Sequence, residues 1–463
     1  MDIHTPLRKS DYIQSVSGRS QAIIWHSLFG CPKVVSMSAL DFLKIFNTPC
    51  TLAEVLPADS DESLTQALQE LVLGYLILPA DLDERLLLRN VCSARTGCAL
   101  RGAMISNLSL IVSEVCNFRC KYCIHFNNLE PSSRLLNPTK FMAFEVAKQA
   151  VDYYTGLLRS TGKEKAEINF GGGEPLLNWS VIESVLDYCR GAHGSEFDLS
   201  FTLNTNASLI TRGIANSLRH HQVRVATSLD GLREGNDSVR MTKAGAGTFE
   251  LVLRGMDLLL AANYPVDGFA ATITDDNFPL LDRRLIDYAR DRGMSEVRVD
   301  VDVIQMVATP VEEVVEKLYD LICYAESYGI SVTGFWARPA ENLNESVLES
   351  DVAFCGAARG SSICVAPSGM IYPCGYSTVA IGSIDATDAF FNAGGAYHKF
   401  LVGREVGGMS MCLGCPIEGM CAGGCNITIE YGQSFGNLTA VEKRCKFYRQ
   451  MTEKLLLHQL KSL

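Results

Sequence analysis

The chain has 463 residues, 47% of them hydrophobic, a formal net charge of −11 and 17 cysteines. That length allows about three domains, the acidic balance is the wrong sign for a nucleic-acid binder, and no apolar stretch approaches the ~20 residues of a membrane span. Residues Met1 to Thr5 lack the basic-then-apolar order of a secretory signal, so cytoplasm is the expected compartment.

From the N-terminus, short strands are expected at 22–25 and 34–36. The apolar spacing at 38–46 and 64–73 is helical, and 76–78 is strand-like. Residues 1–90 therefore read as a winged-helix-like module. Between 107 and 334 strands alternate with helices, the mark of parallel βα units. Strands are expected at 108–113, 166–170, 199–205, 223–229, 268–273 and 297–304, with helices at 141–158, 179–190, 249–262 and 280–292 among them. Six units predict an α/β fold with a partial (β/α)6 TIM barrel over 105–335, whose chemistry gathers at the C-terminal strand ends. Residues 338–353 are polar and acidic and read as a linker. Residues 350–450 read as a third, Gly-rich unit that depends on bound metal for its order.

An odd cysteine count in uneven clusters does not fit a secreted disulfide framework. Cys116, Cys120 and Cys123 stand in a C-x3-C-x2-C spacing directly after the first barrel strand. Structural zinc and ordinary [4Fe–4S] sites close with four ligands, whereas three thiolates leave one iron open to an outside ligand. A thioredoxin-type redox pair is the alternative for the C-x2-C alone. After the second strand come Gly171, Gly172, Gly173, Glu174 and Pro175: glycines admit a ligand close to the backbone, and Glu174 can accept from an ammonium group. The third strand ends in Asn204-Thr205-Asn206, the fourth in Ser228-Leu229-Asp230, with Arg240 beyond. Taken singly, Ser228 and Asp230 read as cap or turn residues. Seven scattered cysteines, Cys31, Cys50, Cys92, Cys98, Cys189, Cys323 and Cys364, read as small buried hydrophobes.

Together these motifs resemble the radical S-adenosylmethionine (SAM) enzymes, and among them the peptide-modifying subgroup with a C-terminal SPASM domain, over residues 107–448. The resemblance implies that Cys116, Cys120 and Cys123 hold a [4Fe–4S] cluster whose open iron binds the amino and carboxylate groups of SAM. Residues Gly171 to Pro175 match the GGEP loop that contacts the SAM amino group. Ser228 resembles the residue meeting the ribose or carboxylate, Arg240 the one pairing with the carboxylate, and Asn206 a ribose contact, with Ala207 where glycine is usual. Cys355-x13-Gly369-x4-Cys374, Cys412-x2-Cys415-x5-Cys421-x3-Cys425 and Cys445 resemble the SPASM signature. By it Cys355, Cys374 and Cys425 would hold a first auxiliary [4Fe–4S] cluster, and Cys412, Cys415, Cys421 and Cys445 a second. Seven ligands leave the first with an open iron, or with one closed by Cys364 or a non-cysteine group; zinc is the alternative for the whole region.

The implied function is maturation of a ribosomally made precursor peptide with a leader sequence. A 5′-deoxyadenosyl radical would remove a substrate hydrogen and a thioether, carbon–carbon or carbon–oxygen crosslink would form. An external donor such as flavodoxin or ferredoxin would supply electrons, and neither nucleic acid nor membrane would be a partner. The module at 1–90 resembles leader-recognition domains, in which a strand edge pairs with the extended leader. Formylglycine formation in the manner of anaerobic sulfatase maturases is the alternative activity, and a non-catalytic iron–sulfur redox protein the alternative from another class.

Overall fold

A computed structural model describes residues 3–56, 62–123, 139–302, 308–434 and 438–462. Near the N-terminus, β1 (Leu7–Lys9), β2 (Ile13–Ser17), β3 (Gln21–His26), β4 (Gly30–Ser36) and β5 (Ile77–Pro79) form two small antiparallel sheets, β2-β3-β4 and β1-β5. The pattern had shown the segments that became β3, β4 and β5; β1 and β2 are additional. Strand β3 is buried on both faces, and its period of two sorts the side chains. Ile24 packs with Leu7, Leu43, Phe46, Leu68 and Leu76, whereas Ile23 and Trp25 face Leu28, Phe29, Leu343, Val406 and Met420.

That second cluster fastens the N-terminal sheet to the cysteine-rich C-terminal region. The indole of Trp25 donates to Pro416 O at 2.8 Å. Arg85 grips Glu418 with both guanidinium nitrogens at 3.0 Å. Gly419 lies so close that a Cβ there would stand 2.0 Å from Leu28 O. Residues 338–353, expected as a linker, instead carry the helix Arg338–Leu343 and bury Leu343, Val347 and Val352 in the same cluster.

Among the described residues the central sheet contains ten strands. Strands β6 (Asn107–Ser113), β7 (Lys165–Gly172), β8 (Asp198–Thr205), β9 (Val223–Ser228), β10 (Gly268–Ile273), β11 (Glu296–Val301) and β12 (Ser331–Thr333) run parallel, each beside the next. The six expected strands are β6 to β11. Beyond β6 the sheet continues through β13 (Ser362–Val365), parallel to it from Ser362↔Asn107 to Val365↔Leu110, then antiparallel β14 (Met370–Tyr372) and β15 (Gly382–Ser383). The cysteine-rich region thus shares a sheet with the βα units. The final residues of the expected strand 297–304 lie partly outside the described residues. The helix expected from 141 begins at Phe144 because Phe141 and Met142 are held along β6, Met142 N donating to Val112 O at 3.0 Å. The helix expected from 280 begins at Arg284, after a 3-10 turn, Phe278–Leu280, that contains Pro279. Among the described residues no helix is long and apolar enough to cross a membrane.

Candidate active site

Every barrel motif falls where a parallel strand delivers it, at the C-terminal edge of the sheet. The cysteine loop leaves β6 after Ser113 and is clamped by the end of β7: Gly173 N donates to Ser113 O at 2.8 Å and Glu174 N to Val115 O at 2.9 Å. Such closeness excludes side chains. Gly172 has φ +125°, and a Cβ on it would stand 2.1 Å from Ser113 O; one on Gly173 would stand 2.5 Å from Val115 O. Only Gly171 of the three faces open space, so the run does two jobs, strand packing and room for a ligand. On its other side the loop is pinned by Arg119 N to Met241 O at 2.7 Å and Lys121 N to Val239 O at 2.9 Å, the segment that carries Arg240.

Glu174 is fully buried, and its oxygens are committed to the fold. They accept from Leu176 N at 3.0 Å, Thr205 Oγ1 at 2.7 Å and Asn206 N at 2.8 Å, tying the end of β7 to the end of β8. Burial raises its carboxyl pKa while these donors and the charge of Arg240 oppose the rise. Asn206 likewise turns toward the cysteine loop: its Nδ2 donates to Asn117 Oδ1 at 2.9 Å and lies 3.9 Å from Cys116 Sγ. Ala207 adopts φ +60°, the left-handed turn that glycine would enter without strain. Ser228 is the last residue of β9, half-buried and opposite Ala270.

Arg240 is buried beside the loop. Its Nε donates to Asp230 Oδ2 at 2.6 Å, Tyr122 Oη donates to the same carboxylate, and Thr272 N donates to Asp230 Oδ1 at 2.8 Å. The guanidinium lies 5.7 Å from the centroid of the Tyr122 ring. Cys116, Cys120 and Cys123 are near enough that each thiolate charge would disfavour its neighbours. Burial pushes the Cys120 thiol to about 12, against the pull of Arg240. Thiols held protonated by burial lose their protons to a bound metal, and this is the donor chemistry of a cluster site.

The C-terminal cysteines separate into two electrostatic groups. Cys374 faces Cys425, Cys364 and Cys355; Cys412 and Cys421 face Cys445 and Cys415. Burial raises the thiols of Cys374, Cys412, Cys415, Cys421 and Cys425, Cys412 to about 11 and Cys421 to about 12. Cys364 lies on β13, buried with Ile111, Ala366 and Tyr372, and is also within electrostatic reach of Cys374. Among the described residues no three His, Cys, Asp or Glu side chains converge tightly enough to hold a single metal ion.

Tyr376 is a residue the sequence reading did not single out. It exposes 58% of its surface, yet its hydroxyl pKa is raised by burial and then by the charges of Cys123 and Cys374, with Arg298 and Arg240 opposing. Its hydroxyl is thus within electrostatic reach of both Cys123 and Cys374. Its place two residues after Cys374 was the available signal.

A parallel α/β sheet with three thiols on the loop after one strand, a glycine clamp on the next and a buried arginine beside them defines a cofactor-binding enzyme of the cluster-and-nucleoside type. Residues 110–279 match the model of the radical SAM superfamily, and the chain carries a radical SAM domain. Members of this class use a [4Fe–4S] cluster and SAM. The chain is 26% identical over 364 residues to the radical SAM cyclopropyl synthase TigE of Paramaledivibacter caminithermalis, covering 77% of this chain and 75% of that protein. Its fold resembles native anSMEcpe with AdoMet bound, with TM-score 0.58 and 18% identity over 77% of this chain and 99% of that one. It also resembles Streptococcus suis SuiB bound to S-adenosylmethionine, with TM-score 0.51 and 15% identity over 92% and 96% of the two chains.

Proposed function

We propose that this enzyme is a maturase of ribosomally made peptides, which removes a hydrogen atom from a precursor side chain and forms an oxidative crosslink, thioether, carbon–carbon or carbon–oxygen. The observation that carries the reading is the grouping of ten cysteines into sets of three, three and four, with the Tyr376 hydroxyl within electrostatic reach of both Cys123 and Cys374. Cys116, Cys120 and Cys123 would hold the radical cluster. Cys355, Cys374 and Cys425 would hold a first auxiliary cluster, and Cys412, Cys415, Cys421 and Cys445 a second, in a SPASM unit at 350–450. When bound, the radical cluster and SAM supply a 5′-deoxyadenosyl radical that takes the substrate hydrogen. The chain's own residues prepare that site. Gly171 leaves backbone room for SAM, Glu174 and Asn206 hold the cysteine loop in register, and Arg240 places positive charge beside Cys120.

A leader peptide is the proposed partner of the module at 1–90, with winged-helix-like character. Beyond the Gly30–Ser346 bridge, β4 pairs only with β3 among the described residues. Val34 on this strand and Met37, which opens the following helix Met37–Leu43, have exposed side chains, and Lys33 reaches Glu70 of the helix Glu62–Leu73 at 3.6 Å. An extended peptide added there gains main-chain hydrogen bonds from the strand and apolar contact from these two residues. The likeness of three quarters of this chain to a radical SAM cyclopropyl synthase supports radical chemistry at a substrate carbon, and a flavodoxin or ferredoxin would supply electrons.

The test uses anaerobically reconstituted full-length protein, with about 11 to 12 iron expected for three clusters. Replacing Cys116, Cys120 and Cys123 by Ala should remove about four of them and all SAM cleavage, leaving the rest. A precursor with its leader should lose about 2 Da for each crosslink, with deuterium from the reacting side chain appearing in 5′-deoxyadenosine. A leader-independent conversion of one Cys or Ser to formylglycine would favour the sulfatase-maturase reading, and absence of reductive SAM cleavage would overturn both.

A further inference from the structure

Two arginines stand beside the C-terminal thiol groups, and among the described residues nothing acidic forms an ion pair with them. Arg404, 6% exposed, donates Nη2 to the carbonyls of Ala422 at 3.1 Å and Gly424 at 2.5 Å, with Nη1 3.8 Å from Met409 Sδ. Arg444, 3% exposed, donates Nη1 to Cys425 O at 3.1 Å and Nη2 to Gly423 O at 3.4 Å, and lies 5.6 Å from the centroid of the Tyr448 ring. The Nε of each is buried without a hydrogen-bond partner.

Among the described residues no carboxylate comes within ion-pair distance of either guanidinium. Glu430 feels the charge of Arg404 at longer range, but its oxygens accept from Ser377 Oγ at 2.8 Å and Thr378 N at 3.3 Å. The anion-forming groups that face Arg404 are Cys355, Cys425 and Cys421; those that face Arg444 include Cys421 and Cys425. The two cations also oppose each other. An unpaired buried charge is strongly unfavourable, and two like charges side by side are worse. The fold tolerates them only if something negative arrives. A thiolate-ligated cubane is a net anion that becomes more negative on reduction, and the net charge around a cluster sets its potential.

We propose that Arg404 and Arg444 are the counter-charges of the two auxiliary clusters, stabilising the bound anions and raising their reduction potentials. This rests on the reading that the seven C-terminal cysteines hold clusters. Both residues act through charge on the cofactor and touch no reacting atom of the substrate.

Gln and Lys variants at each position separate charge from hydrogen bonding, because Gln keeps a donor for the loop carbonyls while Lys keeps the charge. The measurements are iron content and an EPR-monitored redox titration of the reconstituted full chain, the radical-cluster signal being identified by its change on adding SAM. Arg404→Gln and Arg444→Gln should lower the one-electron equilibrium constant of an auxiliary cluster about tenfold, about 59 mV, or lose auxiliary iron. Arg404→Lys and Arg444→Lys should stay near the native values in both. Full iron with unchanged potentials in the Gln variants would overturn the proposal, as would Lys variants impaired as badly as Gln. A native protein binding only about four iron would overturn the underlying cluster reading, a separate failure visible before any arginine is changed.

Discussion

Arg240 at the barrel end and the pair Arg404 and Arg444 in the C-terminal region are all nearly buried and all face cysteines. Arg240 is matched at 2.6 Å by Asp230, which Tyr122 and Thr272 also hold. Among the described residues the other two meet carbonyls, a thioether, the Tyr448 ring and thiols, with no carboxylate in ion-pair distance. The barrel end is therefore electrostatically complete before a cofactor binds, and the C-terminal region is complete only with one. A site that must admit SAM and release its products at each turnover gains from standing ready. A site whose clusters stay can leave its charge balance to them.

The comparison breaks most readily at Asp230. Asp230→Asn leaves Arg240 buried without its partner and should cost about 3–5 kcal/mol by denaturant unfolding of the apo-protein, with SAM cleavage lost and the C-terminal iron retained. An unchanged unfolding midpoint would show that Arg240 does not depend on the pair. Next in size is Gly172→Ala, which sets a Cβ against Ser113 O at a positive φ and should cost about 3 kcal/mol, displacing the cysteine loop and abolishing SAM binding in a calorimetric titration. Native-like SAM affinity there would mean that the clamp is not needed.

Arg404→Gln sharpens the comparison through its dependence on loading. It should destabilise the holo-protein by about 1–2 kcal/mol and the apo-protein by less, because without clusters the lost charge had no anion to meet. Paired thermal scans of the two states read this directly, and equal losses would count against it.

The smallest effect concerns acid and the N-terminal module. His26 is held neutral chiefly by burial, its pKa lowered although Glu84 opposes the fall; its Nδ1 accepts from Leu28 N and Phe29 N, both at 3.2 Å. In the unfolded chain it protonates below about 6.5, so its contribution to stability declines as pH falls through that value. For Glu84, burial raises the pKa but hydrogen bonds from His26, Ser10 and Arg8 outweigh it and leave the value lowered. Its contribution is present above about 4.5 and is lost as pH falls through the lower folded value. The module should lose about 1–2 kcal/mol between pH 7 and 5 through His26 alone, followed by amide exchange across β3, and the Glu84 part only below about pH 4.5. Flat protection factors over that range would exclude the effect.

The strands β6 to β11 were legible because short runs rich in β-branched and aromatic residues, most of them alternating as in Val-Arg-Val-Ala-Thr-Ser of β9 and Glu-Val-Arg-Val-Asp-Val of β11, fall between helical patterns. Strands β1, β2, β12, β14 and β15 were not. Most are only two or three residues long, and β2, Ile-Gln-Ser-Val-Ser, is mostly polar; what makes them strands is a partner that sequence does not announce, as β1 needs β5. The division of the C-terminal cysteines into two sets came from their resemblance to the SPASM signature and not from spacing, since Cys425 is read with Cys355 and Cys374 and not with its neighbour Cys421. Glu174 shows the limit. Its neighbours in sequence mark a ligand loop, but its use as the tie between β7 and β8 appears only when Thr205 and Asn206 arrive beside it. Tyr376, Arg404 and Arg444 share that dependence on folding, although Arg444 directly precedes Cys445.

The bolt between the two ends of the chain has a consequence for how the protein is made. Trp25 and Pro416 are 391 positions apart, and Arg85 and Glu418 are 333. The N-terminal sheet leaves the ribosome first but must wait for nearly the whole polypeptide before Ile23, Trp25 and Phe29 can be covered. During that interval it presents an apolar face with no partner, the state in which slow, high-contact-order proteins are prone to aggregate. Synthesis rate and chaperone supply should therefore govern the yield of soluble protein at least as strongly as the supply of iron.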